Sequence, residues 1–161
     1  MSNFLRDYVS YARELTDAPM KYHQAVAIAL VSAAVANRAW FPFGDQRLYC
    51  NLYMILLGTS SDTRKSTSLN MGKAILCQVK PEAILPNEFS HEKLLALLSQ
   101  TPQGCFFYSE FLSLQSLLSR DYMAGTRSFL TELYDCPSLY RREIKGADPI
   151  AIENPVISIL S

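Results

Sequence analysis

The segment at positions 52–67 decides the fold and reads Leu52-Tyr53-Met54-Ile55-Leu56-Leu57-Gly58-Thr59-Ser60-Ser61-Asp62-Thr63-Arg64-Lys65-Ser66-Thr67. Its first six residues form an uninterrupted apolar run, which is typical of a strand covered on both faces, as in a parallel sheet. Gly58 then opens a polar loop, and we predict a helix from about Arg64 to Val79. The segment therefore predicts a strand–loop–helix unit.

This loop has the chemistry of a phosphate-binding loop. Backbone N–H groups at the start of a helix are unpaired and, together with the helix dipole, favour an anion. A lysine adds charge near the outer phosphates, and a serine or threonine hydroxyl holds Mg²⁺. We therefore predict that Lys65 binds the phosphates of a nucleotide and Ser66 binds Mg²⁺. The candidate nucleotide-binding residues are Gly58, Thr59, Ser60, Ser61, Asp62, Thr63, Arg64, Lys65, Ser66 and Thr67.

The loop departs from the GxxxxGK[ST] pattern. Five residues, in place of four, separate Gly58 from the residue before the lysine, and that residue is Arg64 where the pattern has glycine. Asp62 adds a negative charge where phosphates would lie. A Lys-Ser pair after a polar loop is also compatible with an ordinary helix start that carries a solvated basic turn.

A second strand supports the phosphate-binding interpretation. Nucleoside triphosphatases of this type need an acidic residue after another strand, where it binds Mg²⁺ or polarises the attacking water. Four apolar residues, 105–108, precede Ser109 and Glu110. We predict Glu110 as the catalytic carboxylate and Ser109 as a metal ligand where an aspartate is usual. A surface glutamate that starts the next helix is the alternative.

The other elements alternate between helices and strands. Helical spacing predicts an amphipathic helix from Phe4 to about Thr16 and an apolar one from Pro19 to about Ala36. Short strands follow around the turn Gly44-Asp45, and further strands are predicted at 83–85, 105–108 and 155–160, with helices between them. Residues 139–145 and 150–153 predict an exposed hairpin arm.

These elements predict an α/β fold with a P-loop NTPase-like, mainly parallel sheet flanked by helices. We divide the chain into an N-terminal helical region (1–45), packed on the core as a layer, and an α/β core (46–161). The sequence ends just after a core strand, so we expect a truncated core and a longer protein.

Composition narrows the partners. Fifteen basic residues balance fifteen acidic ones, so any binding to nucleic acid or membrane must be local. We see no signal peptide, and the most apolar segment, 25–36, is about half the ~20 residues that cross a bilayer. We expect a cytoplasmic protein with no membrane partner. The four cysteines form no CxxC pair, which favours buried free thiols, and His23 and His91 are predicted as surface or capping residues.

Several blocks resemble a known family. The chain resembles the YfjI-like family of phage and mobile-element P-loop proteins, which are related to helicase and primase–helicase ATPases. The matching blocks are Phe4-Leu5 to Tyr22-His23, Asn51-Leu52-Tyr53 to Thr67, Phe89-Ser90 to Leu98, Phe106 to Leu118, Phe129 to Arg141 and Asn154-Pro155 to Leu160. The resemblance implies a RecA-like or AAA-like ATPase core that acts on DNA. It assigns Lys65 to the phosphates, Ser66 to Mg²⁺ and Glu110 to catalysis.

The C-terminal third is locally basic, and its tyrosines are interleaved with arginines. Basic and aromatic residues together hold nucleic acid through phosphate contacts and base stacking. The candidate contacts to single- or double-stranded DNA are Arg127, Arg141, Arg142 and Lys145. A solvated face with core tyrosines explains the pattern equally well.

Three functions remain open. The first is the front part of a nucleotide-dependent DNA helicase or primase–helicase, working with ATP and Mg²⁺, with a homo-oligomer as one possible assembly. The second is a non-hydrolysing relative that acts as an adaptor in a replication or defence complex. The third is a helical interaction module whose Lys-Ser turn is coincidental.

Overall fold

The structure is a computed structural model that describes residues 3–58, 63–143 and 148–161. Six α-helices and seven strands occur in this part of the chain. They are α1 (Phe4–Leu15), α2 (Met20–Val35), β1 (Trp40–Phe43), β2 (Gln46–Tyr49), β3 (Tyr53–Met54), α3 (Lys65–Val79), α4 (His91–Gln100), β4 (Gln103–Phe107), α5 (Phe111–Leu118), α6 (Ala124–Tyr134), β5 (Leu139–Arg142), β6 (Ile150–Glu153) and β7 (Val156–Leu160).

The central sheet has three parallel strands in the order β3-β7-β4. The register aligns Met54, Leu160 and Phe107 in one row across the three strands. Strand β3 is shorter than the predicted run. At its end, the carbonyl of Met54 accepts the N–H of Ser161, the residue after β7. The last strand in sequence, β7, therefore lies between β3 and β4.

Side chains of the sheet alternate between two covered faces, as successive residues of a strand must. Cys105 and Phe107 lie in a core with helices α1, α2 and α3. Phe106 and Tyr108 lie in a second core with helices α4, α5 and α6. The predicted α/β fold with a parallel sheet flanked by helices is therefore confirmed, and the apolar helix α2 covers β7 and β4.

One buried polar pair interrupts the apolar contact of α2 with the sheet. The hydroxyl oxygens of Ser32 and Ser158 lie 2.7 Å apart. Ser158 Oγ also accepts the backbone N–H of Leu52 at 3.1 Å. The central strand thereby holds the chain just before β3 through a side chain as well as through its backbone.

The structure corrects four predictions. Residues 83–85 do not form a strand: Pro81–Ala83 is a 3₁₀ turn, to which proline's fixed φ is suited, and Ile84 alone pairs with Cys105. The hairpin of β5 with β6 is confirmed, but it is not an exposed arm, because Ile152 is fully buried and β6 packs against α4.

The third correction concerns the histidines. His23 and His91 are both buried, so neither is a surface residue, and Ser90 rather than His91 caps α4. A fourth correction concerns the cysteines: all four are free, but Cys50 and Cys77 are exposed rather than buried. Within the described ranges, no helix combines the length and the apolarity that crossing a membrane requires.

Candidate functional site

The start of α3 has features that favour an anion. Lys65 is its first residue, no side chain of the described residues caps its N-terminus, and its first turn contains no acidic residue. Arg64 precedes it with φ of 44°, in the left-handed region that glycine favours. The arginine therefore occupies the place in the pattern where glycine is usual and also takes the backbone conformation that suits glycine.

Two contacts from the N-terminal helices hold the described ends of the loop. Tyr22 donates its hydroxyl hydrogen to the carbonyl of Leu57 at 2.7 Å. Asp17 forms an ion pair with Arg64, with 2.6 Å between Oδ1 and Nε. Gly58 lies next to the tyrosine hydroxyl, because a Cβ added to Gly58 would be 2.2 Å from Tyr22 Oη. The segment that joins α1 to α2 and the first turn of α2 therefore contact the loop at its two described ends.

Glu110 lies at the same edge of the sheet as the start of α3. It is the third residue after Phe107, and Leu57 is the third after Met54, which shares a row with Phe107. One strand separates β3 from β4, so the two chains are about 10 Å apart at this level. Ligands of parallel α/β sheets bind at the carboxyl ends of the strands.

A polar cavity of about 590 Å³ lies beside Glu110. Tyr108 donates its hydroxyl hydrogen to the backbone carbonyl of Asn87 at 3.1 Å, and burial raises the pKa of this tyrosine to about 12. The amide Oδ1 of Asn87 is buried without a hydrogen-bond partner in the described structure. The polar residues that line the cavity are Asn87, Glu88, Tyr108, Ser109, Glu110, Ser113, Ser116 and Arg120.

The protein offers little to a metal ion on its own. Ser66 and Ser109 are exposed hydroxyls, and the described residues contain no group of three His, Cys, Asp or Glu side chains placed to hold a metal. Mg²⁺ in nucleotide sites is held largely by phosphates and water. A Mg²⁺ ion at these hydroxyls would therefore need most of its ligands from phosphates and water.

The residues predicted to bind nucleic acid do not all lie on one surface. Arg127 and Arg141 are exposed, whereas Arg142 is half-buried and its guanidinium contacts Nε2 of His91. Adjacent strand residues face opposite sides, so Arg141 and Arg142 do not share a surface. Five predicted site residues lie outside the described residues: Thr59, Ser60, Ser61, Asp62 and Lys145.

Sequence reasoning did not select Tyr22 or Asp17 as site residues. The hydrogen bond from Tyr22 joins residues 35 positions apart in the sequence, and no local motif predicts such a contact. Comparison with known proteins found no relative. The chain matches no protein-family model, no curated protein and no solved structure at a significant level.

Proposed function

We propose that this chain binds ATP at the carboxyl edge of its sheet, with the phosphates at the N-terminus of α3. The observation that carries the proposal is the shared row of Met54, Leu160 and Phe107. This row sets the strand before Lys65 and the strand before Glu110 at equal height. A cation at a helix start and a carboxylate after β4, on the far side of β7, are two groups that phosphoryl chemistry uses.

The role that we propose for each residue follows from the chemistry of its side chain. Lys65 provides a positive charge for the outer phosphates, and the N–H groups of the first turn of α3 bind phosphate oxygens. Ser66, with Ser109 nearer to β4, would hold Mg²⁺ through hydroxyl oxygens. Mg²⁺ would neutralise charge that develops on the phosphates. Glu110 would orient a water molecule and accept its proton.

The direct test is a calorimetric titration of the protein with ATP and Mg²⁺. Lys65→Ala should weaken binding about 10- to 100-fold, because one charge-assisted contact contributes about 1.5–3 kcal/mol. Lys73→Ala is the matched control, since Lys73 lies two turns further along the same helix, and it should leave affinity unchanged. Equal losses in both variants, or no binding by the unsubstituted protein at millimolar ATP, would refute the proposal.

Two versions of this function differ in whether the bound ATP is hydrolysed. In a helicase-type ATPase acting on DNA, Glu110→Gln should abolish turnover and leave ATP affinity intact. A non-hydrolysing adaptor would bind ATP without turnover before any substitution. Ser109, where a second carboxylate would be usual, favours the adaptor, and the exposed Arg127 and Arg141 favour a DNA partner. Turnover measured with and without single-stranded DNA distinguishes the two.

A further inference from the structure

Arg64 and Asp17 form the one ion pair found in the described part of the chain. The pair joins the residue before Lys65 to the segment between α1 and α2. Nε of the guanidinium lies 2.6 Å from Oδ1 of the carboxylate. A guanidinium carries five N–H donors, so it can bind a further acceptor through its terminal nitrogens.

Both side chains of the pair are accessible. The side chain of Arg64 is 55% exposed and that of Asp17 is 70% exposed. An ion pair in such a position is weak, because water solvates both charges nearly as well. A more highly charged anion that reaches the same guanidinium can therefore displace the carboxylate at little cost.

The backbone of Arg64 points to a role for its side chain. A non-glycine residue with φ near +44° adopts a conformation that costs about 1–2 kcal/mol relative to the right-handed region. Glycine would remove that cost, yet the chain has an arginine there. Strained residues persist where the surrounding structure or the function requires them.

We propose that Asp17 is an internal competitor of the nucleotide phosphates for Arg64. Without nucleotide, the carboxylate holds the guanidinium; when the phosphates bind beside Lys65, Arg64 exchanges Asp17 for phosphate oxygens, which arginine binds bidentately. The inference rests on the proposed ATP site and adds its regulation. The exchange also releases the α1–α2 segment from the loop, so nucleotide binding weakens one of the two contacts that hold the loop.

The test is a double-mutant cycle that measures ATP affinity. Asp17→Asn should tighten ATP binding about two- to fivefold, the range expected from removal of an exposed pair. Arg64→Gly should weaken binding, and the effect of Asp17→Asn should vanish in the Arg64→Gly background. Inorganic triphosphate should reproduce these changes, whereas adenosine should not.

Glu14→Gln is the matched control for charge, because Glu14 is an exposed acid near the end of α1 and its removal changes net charge equally. Thermal unfolding of each variant checks that the fold is retained. If Lys65→Ala abolishes binding but Asp17→Asn does not tighten it, or tightens it equally without Arg64, the inference fails while the proposed function stands. If the unsubstituted protein binds no ATP, both fail.

Discussion

Tyr22 links the N-terminal helices to the phosphate loop through one hydroxyl group. Its hydrogen bond to the carbonyl of Leu57 is 2.7 Å long, at the point where the chain leaves β3. Tyr22→Phe removes this bond and keeps the ring. We expect a loss of about 0.5–1.5 kcal/mol in unfolding free energy, typical of one hydrogen bond, and weaker ATP binding because the loop entry is less restrained.

Urea unfolding and ATP titration measure the two effects. Tyr11→Phe is the control, because Tyr11 lies on α1 with half of its surface exposed. The control should change neither quantity. If Tyr22→Phe alters stability but not ATP affinity, the tyrosine supports the fold without positioning the loop.

The residues that sequence could and could not identify differ in how far their partners lie along the chain. Lys65 and Glu110 were predicted as site residues because each comes after an apolar run, Lys65 at the end of the polar loop and Glu110 two residues beyond Tyr108. Tyr22 and Asp17 act on residues 35 and 47 positions away, and such pairing depends on how α2 packs. The left-handed conformation of Arg64 was not predictable from sequence either, since arginine rarely adopts it.

Among the elements, α2 and α3 approach each other closely at Gly72. A Cβ added to Gly72 would lie 2.3 Å from Cγ1 of Val26, which is fully buried. Gly→Ala normally stabilises a helix by about 1 kcal/mol. Here we expect the reverse, a loss of about 1–3 kcal/mol, because overpacking forces the two helices apart.

Differential scanning calorimetry of two variants tests this packing. Gly125→Ala is the matched control in another helix, α6, where the added Cβ would have its nearest neighbours at 3.6 Å, an ordinary contact. The control should be neutral or stabilising. Val26→Ala combined with Gly72→Ala should recover part of the loss, and a loss that Val26→Ala leaves intact would show that the helices do not meet as described.

Most elements were predictable because their patterns are local. The helix from Phe4 and the turn at Gly44-Asp45 follow from spacing and turn chemistry, and both occur. The predicted strand at 83–85 failed because three apolar residues lack the length to specify a ladder, and Pro81 favours a 3₁₀ turn. The order β3-β7-β4 was not predicted, because strand order depends on contacts between distant segments.

At the scale of the molecule, each of the two helical layers buries one histidine. Arg142 can only donate to Nε2 of His91, so Nδ1 carries the ring proton and donates to Thr126 Oγ1 at 2.9 Å. Neither ring nitrogen of His23 has a hydrogen-bond partner in the described structure. Sequence reasoning predicted both histidines as surface or capping residues, since burial of an isolated polar residue leaves no local pattern.

Both histidines should make the whole fold sensitive to acid. Burial lowers the pKa of His23, and burial together with the Arg142 charge lowers the pKa of His91, in each case from an ordinary value of 6.5. Below pH 6.5 the unfolded chain therefore binds protons that the folded protein resists. The unfolding free energy should be constant above this pH and fall below it, by up to about 1.4 kcal/mol per pH unit for each histidine.

Urea unfolding at a series of pH values from about 7.5 to 5 measures this slope. His91→Gln keeps an acceptor for Arg142 and removes the titration, and His23→Leu removes the other group, so each should reduce the slope and together they should nearly abolish it. Hydrogen bonding lowers the pKa of Glu92 from 4.5, so that carboxylate titrates below the measured range. An unchanged slope in the double variant would mean that other groups take up the protons, and that the buried histidines do not couple the fold to pH.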